Sequence, residues 1–96
     1  MKVSFDYDNT LTQLKVQILA MELIDRGDEV YIISARQHVS PIYRMADKLG
    51  IPHSRVFAVG SNQNKIKKIE DLDIQRHYDD NPKVIEELGS VGKLIR

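Results

Sequence analysis

Residues 3–13 read VSFDYDNTLTQ, an apolar segment of strand character that runs directly into two aspartates one residue apart, then Asn, Thr and Leu. Two carboxylates at the mouth of a hydrophobic segment repel each other and lose hydration, so their closeness needs a reason. Either they stand in solvent, or a positive group belongs between them. Reading this first segment as a strand also sets how the rest of the chain divides.

Working outward, KVSF and EVYIIS are short β-rich runs bounded by polar residues, and LTQLKVQILAMELIDRG lies between them. Leu14, Ile18, Met21 and Ile24 recur there at helical spacing, with Gly27 at the end. The pattern predicts strand, amphipathic helix, strand, with that stripe as the helix's apolar face. Ser40 and Pro41 form an N-cap and first-turn pair, Ile42, Met45, Ala46 and Leu49 share one face, and Gly50 is a stop signal. SRVFAVG reads as a third strand, and NKIKKIEDL as a short helix with Ile66, Ile69 and Leu72 inward. IQRHYDD is a shorter, more polar fourth strand. Asn81 and Pro82 repeat the cap-plus-proline start, Val84, Ile85 and Leu88 supply an apolar face, Gly89 stops the helix, and GKLIR forms a last strand.

This alternation predicts an α/β protein: a Rossmann-like three-layer αβα sandwich around a central parallel sheet of about five strands. In such folds ligands bind outside the carboxyl ends of the strands, where strand order reverses. With 96 residues the chain fits one domain, residues 1–96, with a single core. Lys plus Arg equals Asp plus Glu at 14 each, so no whole-molecule field attracts nucleic acid or an acidic membrane. The absence of cysteine excludes disulfides, thiolate metal sites and a cysteine nucleophile. No apolar run approaches the roughly 18 to 20 residues that span a bilayer. The start MKVSFDYD carries acids where a signal peptide needs apolar residues. These absences predict a cytoplasmic protein with no membrane association.

The residues after each predicted strand belong on one edge of the sheet. Asp6 and Asp8 follow the first strand, Ser34, Ala35 and Arg36 the second, and Asp79 and Asp80 the fourth, while Lys65 opens the helix before the fourth. Converging carboxylates without compensation cost several kcal/mol (roughly) in repulsion and desolvation, which argues for a bound cation. Oxygen-only ligands point to a hard ion, and Mg2+ fits best because it takes few carboxylates and completes its shell with water and phosphate oxygens.

With these residues collected, the chain resembles the haloacid dehalogenase-like (HAD) phosphohydrolase superfamily over residues 2 to 85. FDYDNTL is similar to that family's first motif, Asp-x-Asp-x-Thr after a strand; IISAR resembles the second, a strand ending in Ser or Thr. Lys65 stands where the third motif's lysine would be, and HYDDNP resembles the Asp-Asp form of the fourth. The resemblance implies a magnesium-dependent phosphatase with Asp6 as nucleophile, forming an aspartyl-phosphate, and Asp8 as acid and then base. It also implies Thr10, Ser34, Ala35 and Lys65 as phosphate-binding groups. Mg2+ would be held by Asp6, the Asp8 backbone carbonyl and the Asp79/Asp80 pair, with Asp80 favoured as direct ligand and the reverse order as the alternative. Asn9 stands where the family often has glycine, and Asn tolerates a left-handed backbone.

Larger relatives carry a cap domain after the first motif or between the second and third. Here 23 residues, 11–33, separate Thr10 from Ser34, and 30 residues, 35–64, separate Ser34 from Lys65. Each interval is consumed by one helix and one strand, so no cap is expected. In that superfamily an open site is associated with macromolecular substrates or with homo-oligomers whose neighbouring subunit covers it. ISARQ followed by YRMADKLGI resembles the phosphatase half of polynucleotide kinase/phosphatases, which implies a nucleotide, a nucleic-acid end or another phosphorylated substrate. The competing expectation is a non-catalytic or phosphoryl-accepting binding module of HAD-like fold. Bland alternatives stand beside these. The lysines around Lys65 suit a solvated helix face, Asp79 and Asp80 suit the start of the last helix, and His38, His53 and His77 read as structural or exposed.

Overall fold

The computed structural model describes residues Met1–Arg96. Five strands, β1 (Lys2–Phe5), β2 (Glu29–Ser34), β3 (Val56–Ala58), β4 (Arg76–Asp79) and β5 (Gly92–Leu94), alternate with four helices. The helices are α1 (Leu14–Asp25), α2 (Ser40–Leu49), α3 (Asn62–Asp71) and α4 (Pro82–Leu88). All strand pairs are parallel, in the order β3-β2-β1-β4-β5. The chain therefore steps outward from β1 to β3, then returns to the other side of β1 for β4 and β5. Strand order reverses between β1 and β4, where the first acidic motif ends one strand and the second ends the other.

Alternation along each strand divides the side chains between two layers. Val3, Phe5, Val30 and Ile32 meet Val16, Ala20 and Leu23 of α1 and Ile42, Ala46 and Leu49 of α2. On the opposite face Tyr31 and Ile33 meet Ile69 of α3, with Leu88 of α4 packed against them. This is the expected three-layer αβα sandwich, with no inserted cap. The second apolar cluster is much the smaller, 4 buried residues against 13. Part of that face is taken up by buried polar side chains instead.

The apolar face of α1 differs from the sequence expectation. Leu14, Ile18 and Met21 are exposed, Leu14 at 67%, and of the expected stripe Ile24 alone is half-buried against the larger cluster, whereas Val16, Ala20 and Leu23 are buried. The helix LKVQILAMELID is apolar on two sides, so two stripes compete for the sheet. Asp25, seven residues after Ile18, lies on the Leu14–Ile18–Met21 line, and Lys15 and Glu22 flank it, so burying that line would desolvate charge. The other stripe is free of charge, and its one buried amide, Gln17, accepts from Lys48 Nζ at 2.9 Å.

Helix boundaries follow local chemistry. Asn81 caps α4 by accepting the Lys83 N–H at 3.0 Å, and Ser61 caps α3 by accepting the Asn64 N–H at 3.0 Å. Ser40 is the first residue of α2 rather than its cap. The first-turn N–H groups of Ile42 and Tyr43 bond the Val39 carbonyl at 2.9 and 3.0 Å, which moves the cap back by one residue. Gly50 ends α2 at φ +79°, where a side chain would be strained.

Candidate functional site

The site begins in backbone register. β1 and β4 pair so that Ser4 faces His77 and Phe5 faces Tyr78, and the Asp6 N–H then donates to the Tyr78 carbonyl at 2.9 Å. Ser4-Phe5-Asp6 and His77-Tyr78-Asp79 thus run side by side as the same pattern, polar, aromatic, acid. Strand alternation sends the aromatics to the α1/α2 face, where their rings stack 4.9 Å apart. The polar residues and both acids meet on the other face.

Lys65 closes this arrangement from above. It lies four residues before Ile69 on the inward face of α3, and its ammonium is buried between two carboxylates, 2.9 Å from Asp6 Oδ1 and 3.0 Å from Asp79 Oδ2. The inward stripe expected for this helix was Ile66, Ile69 and Leu72; Ile69 is buried, Ile66 and Leu72 are half-buried, and Lys65 shares the buried face.

Asp79 has both oxygens occupied. Oδ2 receives Lys65 and the His77 ring at 2.9 Å, and Oδ1 receives the Asn81 N–H at 3.0 Å. Asp80 is less committed: the Thr10 hydroxyl approaches it, with Oγ1 3.4 Å from Asp80 Oδ1 and 3.4 Å from Asp6 Oδ2, its one proton shared between them. The Asp80 carboxyl also lies against that of Asp6 and adds to the upward push there.

These contacts set the charge states. Burial lifts the Asp6 carboxyl to about 7, against the attraction of Lys65 and with the repulsion of Asp79 added. Burial also acts to raise Asp79, but the His77 hydrogen bond, the Lys65 charge and the Asn81 N–H outweigh it and bring it to about 2. For Lys65, burial favours the neutral form but the two carboxylates prevail, so it is held above the usual lysine range and charged. Burial lowers His77 despite Asp79 beside it, which favours a neutral ring.

A tight turn follows β1, closed by Leu11 N–H to the Asp6 carbonyl at 3.2 Å and Thr12 N–H to the Tyr7 carbonyl at 3.3 Å. Asn9 takes the left-handed conformation there, φ +56°, as its short amide side chain allows. The turn carries Asp8 away from the buried pair and towards Arg36, whose guanidinium grips it in a two-pronged ion pair at 2.7 and 2.8 Å. That hydrogen-bonded guanidinium holds the Asp8 carboxyl below the usual carboxylate range. Ser34 is fully buried, and its hydroxyl accepts the Arg36 N–H at 3.1 Å, shaping the loop that presents Ala35 and Arg36.

An open cleft of about 370 Å³ lies over these strand ends. Asp6, Asp8, Ala35, Lys65, Asp79 and Asp80 all line it, six of the eight site residues named from sequence; Thr10 and Ser34 lie beneath its walls. Carboxylate oxygens of Asp6, Asp79 and Asp80 come within 4.8 Å of one another. These side chains present an all-oxygen donor set, which fits a hard divalent cation such as Mg2+. The Asp8 carboxylate is not in that cluster, because Arg36 holds it.

Sequence reasoning did not single out Ser4, and it read His77 as structural or exposed; His77 is structural, wholly buried between Ser4 and Asp79. The signal was present in strand periodicity: each stands two residues before an aspartate of the site and so points to the same face. His38 and His53 do not join them. His53 lies against Tyr43, rings 3.9 Å apart, and bonds Asp47 at 2.6 Å on the surface. No helix of the chain is long and apolar enough to cross a membrane.

Comparison of the chain with protein-family models, with curated proteins and with solved structures gives no significant match.

Proposed function

We propose that this chain is a magnesium-dependent phosphohydrolase of the HAD-like type, acting on phosphate monoesters through an aspartyl-phosphate on Asp6. The observation that carries the reading is the meeting of Asp6, Lys65, Asp79 and Asp80 at the sheet's switch point, with the Lys65 ammonium between two of the acids. A general acidic surface would not bury a lysine to hold two of its carboxylates. Their order along the chain, Asp-x-Asp-x-Thr first, a lysine in the penultimate helix and Asp-Asp last, is that of the HAD-like motifs.

In this reading an Asp6 oxygen attacks the phosphorus and the bond to the leaving oxygen breaks. Asp8 gives its proton to that oxygen, so an alcohol departs. A water then attacks the phosphorus of the aspartyl-phosphate, Asp8 takes the water's proton, and the bond to Asp6 breaks to restore the carboxylate. Lys65 keeps Asp6 oriented and offers charge to the phosphate oxygens. Mg2+ held by Asp6, the Asp8 backbone carbonyl and a carboxylate of the Asp79/Asp80 pair would neutralise negative charge on the phosphoryl group. Asp80 is the better placed of the last two to be a direct ligand, since the oxygens of Asp79 are already bonded. The Arg36 fork suits Asp8 to the base step, and proton donation requires the fork to open. Backbone N–H groups near Ala35 are available to the phosphate. In this reading the substrate is a nucleotide or the phosphorylated end of a nucleic acid.

The test is phosphate release from p-nitrophenyl phosphate, nucleotides and 3′-phosphorylated oligonucleotides, with and without Mg2+, for the wild type and Asp6→Asn. Magnesium-dependent turnover that vanishes in the variant supports the reading. A rise in melting temperature with Mg2+ but no turnover of any ester would replace it with a binding module of the same fold.

A further inference from the structure

Beneath the cleft, the side chains of Ser4, His77, Asp79 and Lys65 form an unbroken buried chain that ends on Asp6. Ser4 Oγ lies 2.6 Å from His77 Nδ1, His77 Nε2 lies 2.9 Å from Asp79 Oδ2, and Lys65 joins Asp79 to Asp6. Ser4, His77 and Asp79 are wholly inaccessible to solvent. Neither Ser4 nor His77 lines the cleft, so neither touches a substrate there.

The network assigns the ring protons. Nε2 faces a carboxylate, which only accepts, so Nε2 carries hydrogen and donates. The Ser4 hydroxyl has no other acceptor than Nδ1, so it donates to Nδ1, and the imidazole is neutral. A cationic ring would place hydrogens on both nitrogens and leave the Ser4 proton without a partner in a dry site.

We propose that His77, oriented by Ser4, is a positioning residue. It fixes the Asp79 carboxylate, and Asp79 in turn fixes the Lys65 ammonium against Asp6. The inference rests on the reading of Asp6 as the reacting carboxylate. The reasoning is geometric: Asp79 Oδ2 receives two donors and Oδ1 one, so the carboxylate cannot rotate without breaking a buried bond. Removing the His77 donor leaves Lys65 and one backbone N–H to hold it. The ammonium then follows whichever carboxylate moves, and its alignment with Asp6 loosens. Serine at position 4 matters because its hydroxyl, donating to Nδ1, fixes the ring's orientation so that Nε2–H stays aimed at Asp79.

The experiment combines kinetics with nitrogen NMR. In the wild type, imidazole 15N shifts are expected to give hydrogen on Nε2 and none on Nδ1 of His77; the opposite tautomer overturns the proposal, with no variant needed. His77→Leu, of similar bulk but without a donor, is expected to lower kcat roughly 10- to 100-fold with little change in KM, the usual size of an effect through a supporting hydrogen bond. His77→Gln restores a donor amide near Nε2 and is expected to recover much of that loss. Equal defects in both variants, or an unchanged kcat in His77→Leu, overturn it. Ser4→Ala serves if the leucine variant does not fold, with a smaller loss in the same direction expected and no loss against the proposal. If the wild type turns over no ester, the function assigned to Asp6 fails, and the Lys65 15N ammonium signal decides the positioning separately. That signal is expected to be sharp in the wild type and His77→Gln and broadened in His77→Leu, and a signal indifferent to His77 overturns the inference.

Discussion

Lys65 donates to Asp6 across 59 residues of sequence at 2.9 Å, in a place where neither side chain is open to solvent. The same ammonium holds Asp79 at 3.0 Å. Removing one partner of a buried ion pair leaves the other charged and unpaired, which typically costs about 3–5 kcal/mol. Lys65→Met is therefore expected to lose about that much stability at neutral pH in urea unfolding, together with all turnover. The loss is expected to shrink in acid, where Asp6 takes a proton and needs no partner. A loss below about 1 kcal/mol would mean that the pair is as weak as an exposed one.

The ionisation of Asp6 gives stability a pH dependence with a definite sign. Its folded value of about 7 is above the ordinary 3.8, so the folded chain holds a proton that the unfolded chain has released. That contribution is complete below about 3.8 and is lost as pH rises through about 7, at up to about 1.4 kcal/mol per pH unit. His77 works the other way: its folded value is below the ordinary 6.5, so its contribution grows as pH rises towards 6.5. Lys65, Asp79 and Asp80 face Asp6 as well, so the isolating measurement is a difference. In chelator, wild-type stability relative to Asp6→Asn is expected to fall across this window and level off above it. A flat difference would mean that Asp6 is ionised throughout.

Much of the architecture was legible in the sequence because cap, stop and strand signals agreed at most steps, the Ser40 cap excepted. Asn81-Pro82 and Gly50 act in the structure as they read in the chain. The convergence of the acids with Lys65 was also legible, since a parallel sheet brings every strand's carboxyl end to one edge. The orientation of α1 was not, because periodicity locates apolar stripes and α1 has two; only the charges sharing one stripe distinguish them. The placing of the Asp8 carboxylate was not legible, because a guanidinium from the neighbouring loop decides it. Ser4 was passed over, and His77 read simply as structural or exposed, because each looks ordinary alone. Only the β1–β4 register, a tertiary fact, makes them a pair.

The choice of stripe on α1 can be tested directly. Leu23→Ala removes a buried side chain from the larger apolar cluster and is expected to cost about 2–5 kcal/mol. Ile18→Ala, on the exposed line, is expected to stay within about 0.5 kcal/mol of wild type. Chemical denaturation of the two variants side by side checks the pair. If the costs were reversed, the helix in solution would be turned with its other stripe to the sheet.

Arg36 controls Asp8 through a contact that contributes little to folding. Both side chains are 45% exposed, so breaking the fork with Arg36→Gln is expected to leave the midpoint of urea unfolding essentially unchanged. Its effect belongs on the rate. The guanidinium holds the Asp8 carboxyl below its usual range, so without Arg36 the carboxyl returns upward and stays protonated to higher pH. The limb of the kcat/KM profile that reports Asp8 is therefore expected to move to higher pH in Arg36→Gln, and to disappear in Asp8→Asn. Arg36→Lys should recover only part of the shift, because an ammonium cannot reproduce the two parallel bonds. If the limb does not move when Arg36 is replaced, it belongs to another group, and Asp6, itself near 7, becomes the one to test.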